Sequence, residues 1–163
     1  HDMWLDGYFE KELNATVHSD NFEFEQNGKH FFVGHGDGKG PQDYKYKFLK
    51  KVFRNSLFIW LFKWIHPDIG MAFAQFSSRS SRYATGKAKL ETFHGNENEW
   101  LVSYCNRKLE TTHHDYFIFG HRHLPINFNL STTSLYVNLG DWIKYFSYAV
   151  FDGEKLELIY YNK

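Results

Sequence analysis

The chain of 163 residues has one cysteine, no net charge, and no apolar run of the roughly 18 residues a membrane-spanning helix requires. A lone Cys105 excludes a disulfide framework and a cysteine-rich zinc module, and a reducing compartment is the simpler setting. No signal-peptide pattern, internal repeat or low-complexity linker is found, and the first residue is His1 rather than an initiator methionine. The glycine-rich stretch Gly34 to Gly40 has no Lys-Ser or Lys-Thr after it, so it is not a phosphate-binding P-loop. Sequons at Asn14 and Asn129 carry little weight without a sign of secretion.

What is present is aromatic and histidine-rich: 20% Phe, Trp and Tyr, and ten histidines. That content argues against disorder and for a packed core. Neutrality is an average over unequal parts. Residues 1–38 hold eight acids and two bases, 39–89 two acids and eleven bases, and 90–163 nine acids and six bases, giving −6, +9 and −3. The basic segment also holds eleven of the thirty-three aromatics.

Within that segment Phe48, Val52, Phe53, Leu57, Trp60, Leu61, Trp64 and Ile65 recur mostly at three- and four-residue intervals between lysines, which predicts one helix closed by Pro67. Leu57 to Ile65 is apolar nearly all round yet too short to cross a bilayer; it could lie on one. Ile69 to Phe76 leads into Ser77-Ser78-Arg79-Ser80-Ser81-Arg82, whose hydroxyls and guanidinium groups suit phosphate oxygens, with Lys87 and Lys89 extending the positive patch. The whole reads as an ordinary amphipathic helical hairpin or as an apolar cap with a basic rim, fitted to an amphiphile with an anionic head.

Strand patterns flank the segment. Lys29–Val33 ends at Gly34, Tyr116–Phe119 ends at Gly120, and Leu135–Leu139, Tyr145–Phe151 and Lys155–Tyr160 follow, the last two joined by an Asp152-Gly153 turn. Trp100, Leu101, Tyr104, Cys105 and Leu109 form one helical face after the acidic start Glu97 and Glu99, so Cys105 is read as a packed thiol rather than a nucleophile. His35 follows the first strand and His121 and His123 the second. Imidazoles presented at two glycine-punctuated strand ends form a plausible metal constellation, and a turn at His121 and His123 would let them serve two metals. The remaining histidines lack such a setting and read as surface or core residues.

His1-Asp2, Gly34-His35-Gly36-Asp37 and Gly120-His121-Arg122-His123, in that order and spacing, resemble the later motifs of the calcineurin-like metallophosphoesterases. The basic aromatic insertion, Leu139-Gly140-Asp141-Trp142 and Leu124-Pro125 are similar to the branch whose bacterial enzymes cleave UDP-2,3-diacylglucosamine, a lipid A precursor. The resemblance implies an α/β fold, the C-terminal part of a four-layer α-β-β-α sandwich with a helical lid over about 41–90. It implies two divalent metal ions, Mn²⁺ in this branch, with His35 and His121 on one and His123 on the other. His1 would serve the leaving group, oriented by Asp2, and the family's other ligand motifs would lie upstream, leaving this chain inactive alone. Arg79, Ser81, Arg82, Lys87 and Arg122 are the candidates for the diphosphate and sugar, and Phe48, Phe53, Trp60, Trp64 and Phe73 for an acyl-chain groove. The implied partners are a lipid-linked sugar nucleotide and an anionic membrane surface, with no nucleic acid, and the implied place is the cytoplasmic face of the bacterial inner membrane. A phosphoesterase for a soluble nucleotide or ester, and a non-catalytic lipid-interface protein, are the alternatives.

Overall fold

The computed structural model describes residues 7–40, 44–85, 93 and 99–161, without the side chains of Lys45, Ser77, Ser78 and positions 80–85. The chain divides into two compact units: residues 1–19 with 42–89, and residues 20–41 with 90–163.

The second unit is mixed α/β. Its five-stranded sheet has the order β1-β2-β3-β5-β4, where β1 is Phe22–Gln26, β2 Lys29–Gly34, β3 Tyr116–Phe119, β4 Pro125–Asn129 and β5 Leu135–Leu139. β2, β3 and β5 run parallel, and β1 and β4 are antiparallel edges. Successive residues of a strand face opposite sides, so Phe31 and Phe32 enter different cores. Phe32, Phe117, Phe119 and Tyr136 meet Leu101, Val102 and Cys105 of the helix Trp100–Leu109, while Phe31, Val137 and Leu156 pack with Phe24, Ile118 and Phe151. The second core lies under the hairpin of β6 (Ser147–Phe151) and β7 (Leu156–Tyr160). The layers of this unit are therefore helix, sheet, hairpin.

β3 and β5 begin and end as the pattern predicts, and the helix at Trp100 does too. β6 starts two residues later than expected, at Ser147, and β1 and β4 come as additions. Cys105 is fully buried, and burial raises its thiol pKa well above the ordinary value, as expected of a packed thiol.

The first unit is helical: α1 (Tyr8–Leu13), α2 (Tyr44–Phe53), α3 (Ser56–Lys63) and α4 (Pro67–Thr85), so the helix Trp100–Leu109 is α5. The single helix expected from Phe48 to Ile65 is two. Asn55, extended at φ −76° and ψ 124°, accepts the Leu57 N–H at 2.9 Å and caps a new helix, so the period survives a break that the apolar spacing conceals. Pro67 opens α4 instead of merely closing its predecessor, as suits a residue without an N–H to leave unpaired. Gly70 lets the start of α4 sit against α3, since a Cβ there would lie 3.2 Å from Cζ of Phe62.

Candidate functional site

Parallel pairing of β2 with β3 aligns Gly34 with Phe119, so the residues that follow leave the sheet side by side. Gly120 N donates to His35 O at 3.1 Å. Gly36, buried and at φ 109°, takes a backbone shape L side chains rarely adopt; a Cβ there would stand 3.3 Å from Cβ of His121 and 3.4 Å from Leu101. The two loops thus touch, and the His35 and His121 rings lie edge to face with centroids 5.3 Å apart. The ring of Trp100, the first residue of α5, meets that of His121 edge to face at 5.9 Å.

His121 and His123 both have left-handed backbones, φ 51° and 50°. The turn separates them, and His123, 60% exposed, has Nδ1 3.8 Å from Oδ2 of Asp141. Asp141 is held by the N–H groups of Lys144, Ile143 and Tyr145 at 2.6, 2.9 and 3.3 Å. The Lys144 N–H is the foremost reason its carboxyl stays below the usual carboxylate range; slight burial opposes, and the other two amides and His123 assist. It thus offers His123 a charged partner.

Neutral imidazoles are apt donors for borderline divalent cations. The His35 and His121 rings are in contact, and His123 faces Asp141. Among the described residues no group of three His, Cys, Asp or Glu side chains converges, so His35, His121 and His123 do not by themselves form a complete donor set.

The other expected site residues are spread more widely. Arg122 is 6% exposed, with Nη1 3.4 Å from Oε2 of the fully buried Glu99. Phe48, Trp60, Trp64 and Phe73 are exposed and Phe53 is half-buried, all in the helical unit, where the Trp60 and Trp64 rings meet at 5.8 Å. Arg79 is exposed on α4. The side chains of Ser81 and Arg82, and His1, Asp2 and Lys87 entirely, lie outside the described residues.

Two residues escape sequence reasoning. Asn138, fully buried on β5, donates its side-chain N–H to the Gly120 carbonyl and so ties the histidine loop to the sheet. A polar residue inside the apolar run Leu135–Leu139 was its signal. Glu99, expected only as part of an acidic helix start, makes no capping bond and faces Arg122. On the hairpin side, a cavity of about 500 Å³ is lined by Phe24, Phe31, Ile118, Trp142 and Phe151, with Gly120, Gly140 and Asp141 also in its wall.

No family model matches the chain. UDP-2,3-diacylglucosamine hydrolase of Porphyromonas gingivalis is 36% identical to it over 175 aligned residues, which take in 97% of this chain. The chain spans 64% of the length of that protein. Over nearly its whole length, the chain is thus similar to UDP-2,3-diacylglucosamine hydrolase.

Proposed function

We propose that the whole protein hydrolyses the pyrophosphate of UDP-2,3-diacylglucosamine, giving UMP and 2,3-diacylglucosamine 1-phosphate for lipid A synthesis. The observation that carries this reading is the meeting of His35 and His121 at adjacent parallel strand ends, in a chain 36% identical to a hydrolase of that name. Water adds to the phosphorus attached to uridine, the bond to the bridging oxygen breaks, and the sugar phosphate leaves with the electron pair. His1, oriented by Asp2, is assigned to protonate or stabilise that leaving group.

His35 and His121 are assigned to one divalent cation and His123 to a second, with Mn²⁺ the proposed metal. Bound there, such ions would lower the pKa of water and draw charge from phosphate oxygens. Asp141 would orient His123 through the ring nitrogen it faces, as carboxylates commonly orient ligating imidazoles. Arg79, Ser81, Arg82 and Lys87 are assigned to the anionic head of the substrate, and Phe48, Phe53, Trp60, Trp64 and Phe73 to its acyl chains. Each buried methylene contributes about 0.8 kcal/mol, so a lid over about 41–90 that covered even part of two chains would dominate binding. The helix–sheet–hairpin order of the α/β unit is compatible with three layers of a four-layer sandwich. Exposed apolar and basic side chains of α2 to α4 favour peripheral attachment at the cytoplasmic face of the inner membrane.

The test is UMP release by the whole protein with Mn²⁺. UDP-2,3-diacylglucosamine should turn over far faster than UDP-N-acetylglucosamine, and His35→Ala and His123→Ala should each abolish the reaction. Equal rates on the two substrates would point to a soluble ester instead. Unchanged rates in both variants would remove the histidine assignments.

A further inference from the structure

Between the two histidines of the strand-end loop sits a cation turned into the protein. Arg122 is 6% exposed and Glu99 fully buried, yet they come from different elements: the turn after β3 and the residue just before α5. Tyr136 and Asn138 of β5 are fully buried in the same region, where Asn138 lies 3.5 Å from the Tyr136 hydroxyl and holds the Gly120 carbonyl. Both charges of the pair act on the Tyr136 phenol, Glu99 raising and Arg122 lowering its pKa, although burial is the largest influence there.

A buried ion pair is a poor source of net stability, because desolvating two charges costs about as much as their attraction returns. What such a pair does supply is a fixed location. On either side of Arg122, His121 and His123 adopt left-handed backbones that non-glycine residues take at a cost, and such conformations persist only where their surroundings over-determine them. Drawing the middle side chain inward to Glu99 forces the neighbouring imidazoles outward and apart. α5 is itself immobilised on the sheet through Leu101, Val102 and Cys105, so Glu99 is a firm anchor.

We propose that the Glu99–Arg122 pair is the positioning device of the site: it holds the Gly120–His123 turn in the shape that sends His121 toward His35 and His123 toward Asp141. The assignment of the histidines as metal ligands rests on the reading above; the geometric role of the pair does not. Glu99 has a second effect, since it neutralises a guanidinium that would otherwise repel a cation arriving at either imidazole. Arg122 is accordingly a positioning residue and makes no contact with the substrate.

The experiment compares Glu99→Gln, Arg122→Met and the double variant Glu99→Met/Arg122→Met in the whole protein, by Mn²⁺ titration, steady-state kinetics and ¹⁵N-imidazole NMR of the metal-free state. Each single substitution should shift the His121 and His123 imidazole resonances. Each should also lower Mn²⁺ affinity and kcat by about 10- to 100-fold with KM unchanged, as for residues that orient metal ligands. The double variant leaves no unpaired buried charge, so it should fold at least as well as the singles and still show displaced imidazole resonances. If Arg122→Met raises KM while Glu99→Gln leaves Mn²⁺ affinity and the imidazole spectrum unchanged, Arg122 serves the substrate and the proposal fails. Wild-type imidazole resonances in the double variant would also overturn it. A wild-type protein that neither binds Mn²⁺ nor releases UMP would sink the pyrophosphatase reading alone, because the metal-free spectra still decide the positioning role.

Discussion

Asp115 shows how single carboxylates lock this chain's loops to its strands. Its oxygens accept from Lys29 Nζ at 3.1 Å and from His30 N at 2.9 Å, and His113 lies 3.8 Å away. Burial is the largest influence on its pKa and pushes it up. The His30 amide, the bond and charge of Lys29 and the charge of His113 together outweigh that and hold it below the ordinary carboxylate value. A carboxyl whose pKa is depressed by folding contributes stability that is fully present above its unfolded pKa of about 3.9 and vanishes as pH falls through the folded one. Asp115→Asn should therefore cost about 1–2 kcal/mol near neutral pH, by urea unfolding. The gap between variant and parent should shrink steadily below about pH 4, and a gap undiminished at about pH 2.5 would show that charge is not the cause. Gly140 is a second single-residue constraint. At φ 75° it has no room for a Cβ, which would collide with the Ser147 hydroxyl and lie 3.1 Å from Cδ of Pro125, so the Asp141 turn starts where only glycine fits.

Elements were legible where their signals are local. Short apolar runs closed by glycine mark β2 and β3, and Asp152 accepts the Glu154 and Lys155 amides at 2.8 and 2.9 Å in the turn expected of Asp152-Gly153. The β1–β2 hairpin has an equally local signal: Phe22-Glu23-Phe24-Glu25 alternates, and Asn27-Gly28 takes φ 52° and 72°, the left-handed pair of a type I′ turn. The α2–α3 break is harder to read, because helical spacing of apolar residues continues across it and only the Asn55 side chain announces a new start. Replacing Asn55 with Ala should cost about 1 kcal/mol in thermal unfolding, and Asn55→Ser, which keeps an acceptor, should restore most of it. Equal losses in the two variants would mean that the hydrogen bond to Leu57 is not what ends one helix and begins the next.

Over the whole molecule, zero net charge conceals a division that the two structural units follow closely. Residues 39–89 carry the +9 charge, and most of them, 42–89, belong to the helical unit, while the strand-end histidines stand in the α/β unit. In the helical unit Phe48, Trp60, Trp64, Phe73 and Phe76 are each more than half exposed, and among the described residues no helix is long and apolar enough to cross a membrane. Lysines amid exposed aromatics should bind anionic vesicles more strongly than zwitterionic ones, with affinity falling as salt rises. Trp60→Ser combined with Trp64→Ser should weaken that binding at every salt concentration, as read by vesicle co-sedimentation. Binding indifferent to salt and to both tryptophans would rule out this surface as the membrane contact.

The sequence by itself determined most of the strands and the helix Trp100–Leu109, where glycine frees a turn, which segment is basic and aromatic, and that histidines close two strands. Each of these depends on neighbours within a few positions, where alternation, helical period and backbone freedom act. Only the tertiary structure decided that β2 lies beside β3 and so brings His35 to His121. It alone turned Arg122 inward to Glu99, set Asn138 beneath Gly120 and placed Asp141 beside His123. The reason is physical: strand order and burial follow from how separate apolar faces share two cores, and residues that meet across those cores leave no local trace of their partners.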